Sequence, residues 1–147
     1  MSVRKIVKKD KSRDITEDFV QTRVIEWLSK HHWRLVKLAT LREHGVDIKA
    51  RHTKYSRYYL IECKGSNNSS SEEVAFIYAL GQIITRMNTS GATRYYYGIA
   101  LPKRSADKAI KRIPFQLAKK LLLHVFSVDK KGNVIRYLPA DLEKLQK

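Results

Sequence analysis

The sequence has 147 residues and a single cysteine, Cys63, so no disulfide can form within the chain and nothing points to an oxidising compartment. No apolar run approaches the roughly 20 residues that a membrane-spanning helix needs. The opening segment MSVRKIVKKDKSRD is basic but lacks the apolar stretch of a signal peptide. No basic helix carries a clean apolar face for lying on lipid. A cytoplasmic protein with no membrane partner is the expectation. Repeats and long low-complexity tracts are also missing. Acidic residues are scarce: fourteen Asp and Glu stand against thirty Lys and Arg, for a formal net charge of +16.

What is present follows from that imbalance. So basic a chain is poised to meet a polyanion, and nucleic acid is the first choice. Each Lys or Arg on a phosphate releases a condensed counterion, so binding should weaken steeply with salt. A hydrophobic fraction of 43% fits a globular protein, and the length fits one domain with a core of its own. Residues 1–13 carry six basic groups and read as a mobile basic arm. Residues 14–147 read as a single domain.

Along that domain, Asp14 is a candidate helix cap with Glu17 as its reciprocal partner, opening a helix that runs to about His31. Trp33 to Ala39 reads as a strand. GVDIKA, from Gly45, is a second, and YYLIECK, from Tyr58, a third. After the polar loop GSNNSSS, Ser71 caps a helix to about Asn88. ATRYYYGIAL is a buried strand, with Tyr95, Tyr96 and Tyr97 as packing residues. A basic helical stretch follows, broken by Pro114 and resumed in FQLAKKLLL. HVFSV and VIRYL flank the turn DKKGN, a hairpin signal, and the last ten residues form a short helix. The fold class is α/β, a central mixed β-sheet flanked by helices.

Two acidic residues stand inside apolar strands. Asp47 and Glu62 would rarely be buried without a partner or a metal. A hairpin centred between Lys54 and Tyr55 pairs Ala50 with Tyr59 and Asp47 with Glu62. Directly opposed side chains lie about 5 Å apart at Cβ, so the two carboxylates repel unless a cation joins them. Magnesium, or manganese, is hard and suits oxygen ligands. Lys64 shares a strand face with Glu62, while Cys63 points away and offers its carbonyl. An oxygen-rich cation site beside an ammonium suits phosphodiester hydrolysis. The [DE]-x-K pattern alone is weak. It recurs at Asp47 to Lys49 and at Asp129 to Lys131, the latter in a turn. A salt-bridged cluster at a sheet edge is the structural alternative.

With GVDIKA and LIECKGS in that order, the chain resembles the PD-(D/E)XK nuclease superfamily. The resemblance spans roughly residues 14–101 and implies a restriction-endonuclease-like αβββαβ core. IPFQLAKKLLLHVFSVDKKGNV also resembles a tail of some nuclease-like members, and Gly45 stands where the family often has proline. The resemblance implies that Asp47 and Glu62 are metal ligands and that Lys64 is catalytic. Many members add an acidic residue from the first helix, for which Glu17 and Glu26 are the candidates here. Glu17 falls within the stripe of Val20, Val24, Trp27 and Leu28, whereas Glu26 faces away. A capping role alone is the alternative for Glu17. Some members use a glutamine in the helix after the lysine strand, a place held here by Gln82. A bond to neighbouring backbone is its alternative.

Lys103, Arg104, Lys108, Lys111 and Arg112 are the candidates for phosphate contacts, with a solvated basic face as the alternative. The expectation is therefore a metal-dependent, endonucleolytic deoxyribonuclease. The rivals are a non-catalytic nucleic-acid-binding module of the same fold and an RNA-directed nuclease. Cutting both strands of a duplex calls for two sites, which a homodimer would supply.

Overall fold

The structure is a computed structural model that describes residues 15–38, 47–66, 72–87 and 94–147. The basic arm over residues 1–13, the Ser71 cap, Gly45 and the loop from Asn67 lie outside the described residues. The first helix, α1 (Glu17–Lys30), is capped by Thr16, whose hydroxyl accepts a hydrogen bond from the Phe19 amide at 3.1 Å. This corrects the expected Asp14 cap, because a Thr hydroxyl reaches the amide three residues on. Glu17 and Asp18 occupy the first turn and Lys30 the last, each favoured there by the helix dipole.

Val20, Val24 and Leu28 recur every four residues and are the buried stripe of α1. Trp27, expected among them, is only half-buried and flanks the stripe. It stacks on His31 at 3.8 Å and meets Phe126 edge-on at 5.4 Å. His31 ends the helix with its Nδ1 at 2.7 Å from the Trp27 carbonyl. His32, the next residue, takes a φ of 71° as the chain turns into the sheet.

Three strands follow as an antiparallel meander, β1 (Trp33–Leu38), β2 (Ile48–His52) and β3 (Arg57–Cys63). The helix α2 (Glu72–Thr85) then carries the chain to β4 (Arg94–Pro102), which runs parallel to β3. Next come α3 (Lys103–Arg112) and α4 (Phe115–Leu121), separated at Pro114. The strand β5 (Leu123–Val128) lies parallel to β4 and pairs antiparallel with β6 (Val134–Tyr137). The last helix is α5 (Pro139–Gln146). Among the described residues this is an α/β fold with five helices and an open mixed sheet in the order β1-β2-β3-β4-β5-β6.

The helices divide between the two faces. α1 lies on one, where Val20, Val24 and Leu28 pack with Ile48, Ala50, Tyr59, Ile61 and Cys63. The other face carries the later helices, with Phe76, Ala79 and Ile83 of α2 against Leu60, Tyr97 and Ile99. Tyr95 stacks on Tyr58 at 5.5 Å and Tyr97 is buried, so the tyrosine run packs as a strand. The Pro114 break is stapled by Gln146, whose Nε2 donates to the carbonyls of Ile110 (2.8 Å) and Ile113 (2.6 Å). In the hairpin turn the Asp129 carboxylate accepts from the Lys131 and Asn133 amides, which makes the third [DE]-x-K a turn device.

Candidate active site

The hairpin register follows the spacing of its residues. Ala50 pairs with Tyr59 and Ile48 with Ile61, so the next pair along is Asp47 with Glu62. The Asp47 Oδ2 accepts a hydrogen bond from the Cys63 amide at 2.7 Å, which fixes this carboxylate at the mouth of the strand pair. Alternation along β3 puts Ile61 and Cys63 against α1 and turns Glu62 to the other face. Lys64 follows at the carboxyl end of β3, its amide bonded to the Ala100 carbonyl of β4 at 3.0 Å.

α1 reaches this corner by its N-terminus. The Ile15 amide donates to the Ser66 hydroxyl at 2.9 Å, and the Ser66 amide donates to the Ile15 carbonyl at 2.8 Å. Gly65 makes that docking possible. A Cβ there would lie 2.3 Å from the Glu17 nitrogen and 2.6 Å from the Thr16 carbonyl carbon. Gln21, one turn past Glu17, donates to the Asp47 carbonyl at 3.4 Å. Glu17, Asp47, Glu62 and Lys64, from three different elements, therefore converge on one corner.

The electrostatics record that convergence. Glu62 is only 2% exposed. Burial first, and then the negative charge of Asp47, push its carboxyl up to about 8, against the pull of Arg86 and Lys64. A hydrogen bond with Asp47 also favours the protonated form. Glu17, expected within the buried stripe of α1, is instead exposed at the rim, because it is the first residue of the helix and precedes the packed turns. Desolvation still raises its carboxyl, with Lys64 opposing and Asp47 adding to the rise. The Cys63 thiol is pushed well up by its complete burial and then by Asp47, Glu17 and Glu62, so it is a packing group and not a nucleophile. The Lys64 ammonium sits 4.4 Å from the centre of the Tyr78 ring, a cation–π contact that orients it.

One residue of the corner, Arg86, was not among the sequence candidates. Arg86, just past α2, places its Nε 3.2 Å from the Glu62 Oε1. The two atoms are buried but not aligned as a hydrogen bond. The signal was a lone cation one turn after Gln82 in an otherwise apolar helix. Gln82 itself is half-buried, and its backbone carbonyl accepts from Thr85 and Arg86. Among the described residues its side chain bonds to none of Asp47, Glu62 and Lys64, and it is Arg86, just past α2, that reaches the Glu62 carboxylate.

The five basic residues of α3 are all exposed. Lys103 and Arg104 begin the helix directly after β4, at the same sheet end as Lys64. Lys111 and Arg112 lie at its far end, about 12 Å away at 1.5 Å per residue. Lys103 is ion-paired with Asp107 at 3.3 Å and Arg112 with Glu73. Glu26, set aside in favour of Glu17, pairs with Arg23 on the surface.

A cleft between α1 and β1, lined by Leu28, Trp33, Arg34 and Thr53 among others, lies at the other end of β1 and β2 from Asp47 and contains no carboxylate. Among the described residues no three His, Cys, Asp or Glu side chains are gathered closely enough to hold an ion as they stand, and no helix is long and apolar enough to cross a membrane. No protein-family model, no curated protein and no solved structure matches the chain.

Proposed function

We propose that the protein is a metal-dependent nuclease that hydrolyses DNA phosphodiester bonds endonucleolytically, with a PD-(D/E)XK-type site on a restriction-endonuclease-like core. One observation carries the reading: a buried carboxylate, Glu62, faces a second, Asp47, beside Lys64 at one sheet corner of a strongly basic protein. The order helix, antiparallel meander, helix, parallel strand agrees with such a core.

The donor set fits a hard divalent cation. Asp47 and Glu62 offer carboxylate oxygens, and the buried Glu62 Oε1 accepts no hydrogen bond among the described residues. Glu17 and the Cys63 carbonyl are the further donors at the same corner. Magnesium or manganese, when bound, supplies Lewis acidity to the phosphate and lowers the pKa of an attacking water. Asp47 and Glu62 crowd two acids together, which a proton relieves in the free protein and a cation relieves in the loaded one. Lys64, steadied on Tyr78, orients the water or offsets charge growing on the phosphate oxygens. Lys103 and Arg104 extend positive charge along the same edge for the flanking phosphates.

Asp47→Ala and Lys64→Ala should each reduce magnesium-dependent cleavage by about 100-fold or more. Plasmid, branched and single-stranded DNA are the substrates to compare. If both variants cut as well as the wild type, this site is not the nuclease centre. The second reading, a binding module without catalysis, is favoured by Arg86, which already offsets part of the Glu62 charge. Calorimetric titration with magnesium separates the two. The nuclease binds the ion and loses it in Asp47→Ala, whereas the module takes up none.

A further inference from the structure

Away from the carboxylates, β1 and β2 present like charges to each other. Arg34 is the direct cross-strand partner of Arg51, and Lys37 is in register with Lys49. A bulge between Leu35 and Lys37 sets this register, since without it Val36 would oppose Lys49. Like charges directly opposed across a sheet are destabilising. Neither strand, WRLVKL or IKARH, contains an acid to relieve them.

The row continues inward. Arg51 pairs with Tyr58, and Tyr58 with Tyr95, so Arg34, Arg51, Tyr58 and Tyr95 line up across four strands. Lys49, on the same face, holds its ammonium 4.9 Å from the centre of the Tyr58 ring. The Arg51 Nε is buried and has no hydrogen-bond partner among the described residues, an orphaned charged donor that costs free energy until an acceptor arrives.

This face is open. Trp33 and Ala50 point to α1 on the opposite side, so alternation turns Arg34, Lys49 and Arg51 away from it. α2 packs over β3 and β4. Asp47 and Glu62 lie on the same side of the sheet, where α2 begins to cover it and Glu62 is buried, about 13 Å from the Arg51 row at 3.3 Å per residue over four residues.

We propose that the face of β1 and β2 turned away from α1 is a track for the phosphate backbone of DNA, with Arg34, Arg51 and Lys49 as its contacts and the Asp47–Glu62 corner at its end. The proposal rests on the nucleic-acid side of the function above but not on cleavage. About 13 Å matches about four base steps at 3.4 Å per strand, so the track would hold the strand a few nucleotides from the cut bond. Phosphate oxygens supply what the row lacks: acceptors for the orphaned Arg51 donor and counter-charge between Arg34 and Arg51.

The test is fluorescence anisotropy of a labelled DNA duplex in EDTA, beside thermal melts, for Arg34→Gln, Arg51→Gln and the double variant. Each single variant should weaken binding by about 3- to 10-fold, and its log–log salt slope should fall by about 0.9 per lost contact. The melting temperature should stay level or rise, because the repulsion is gone. Wild-type affinity and slope in both single variants would overturn the track. So would weaker binding accompanied by a lower melting temperature, which marks a structural role. If wild type cuts DNA in magnesium while the double variant binds as wild type, the track falls and the nuclease stands. If wild type binds through these arginines but never cuts, the track stands without the nuclease.

Discussion

Glu62 has lost water on nearly every side, and Asp47, its neighbour, is an acid. Its proton stays on in the folded chain up to about 8, whereas an ordinary Glu in the unfolded chain gives it up near 4.5. The folded state therefore binds an extra proton between those values. The stability tied to that proton is fully present below pH 4.5 and is lost as pH rises to about 8. Glu62→Gln keeps the neutral shape and has no proton to lose. In metal-free buffer the variant should gain on wild type by roughly 2–4 kcal/mol between pH 5 and pH 8. Parallel curves of unfolding free energy against pH would show that Glu62 titrates normally. That Asp47 and Glu62 meet could be read from spacing, since a hairpin register is arithmetic once the turn is placed. That Arg86 joins them could not, because only the packing of α2 on β3 brings a residue 24 positions away against Glu62.

α1 and β3 are locked together at one tight approach. At Gly65 an added Cβ would press on backbone atoms of Ile15, Thr16 and Glu17, none of which can swing aside. Gly65→Ala should therefore cost about 1–3 kcal/mol and shift Glu17 from the corner. Gly81, inside α2, has nothing within 4 Å of its Cβ position. Gly81→Ala should instead stabilise by about 0.5–1 kcal/mol, because alanine is the better helix former. Melts of the two variants should move in opposite directions from wild type, and equal shifts would mean that α1 does not dock on Gly65. Element order was readable because period and turn chemistry are local. The strand spans, the α2 helix, the Pro114 break and the DKKGN hairpin all fall within a few residues of their expected places. The α1 cap was misplaced because Asp14 and Thr16 are both good caps, and sequence alone does not say which oxygen meets the free amides.

Over the whole molecule the surplus of thirty cations over fourteen acids dominates. Its self-repulsion works against the compact state and is felt most at low ionic strength, where the screening length is about 30 Å at 0.01 M against about 8 Å at 0.15 M. Raising sodium chloride over that range should raise the melting temperature of the free protein, and the same change should weaken DNA binding. A melting temperature that falls with salt would show that local ion pairs outweigh the net charge. The sheet arranges this surplus unevenly. Exposed lysines and arginines lie along α3, and a second set stands on β1 and β2 without acids between them.

The sequence by itself determined the alternation of elements and the register that opposes Asp47 to Glu62. Each rests on a short-range period, two residues for a strand and 3.6 for a helix. The tertiary structure alone decided which charges surround Glu62, that Gln82 leaves its place to Arg86, and that Arg34 faces Arg51. Those are contacts between elements distant along the chain, and burial, which raises the Glu62 carboxyl, exists only once the helices have closed over the sheet.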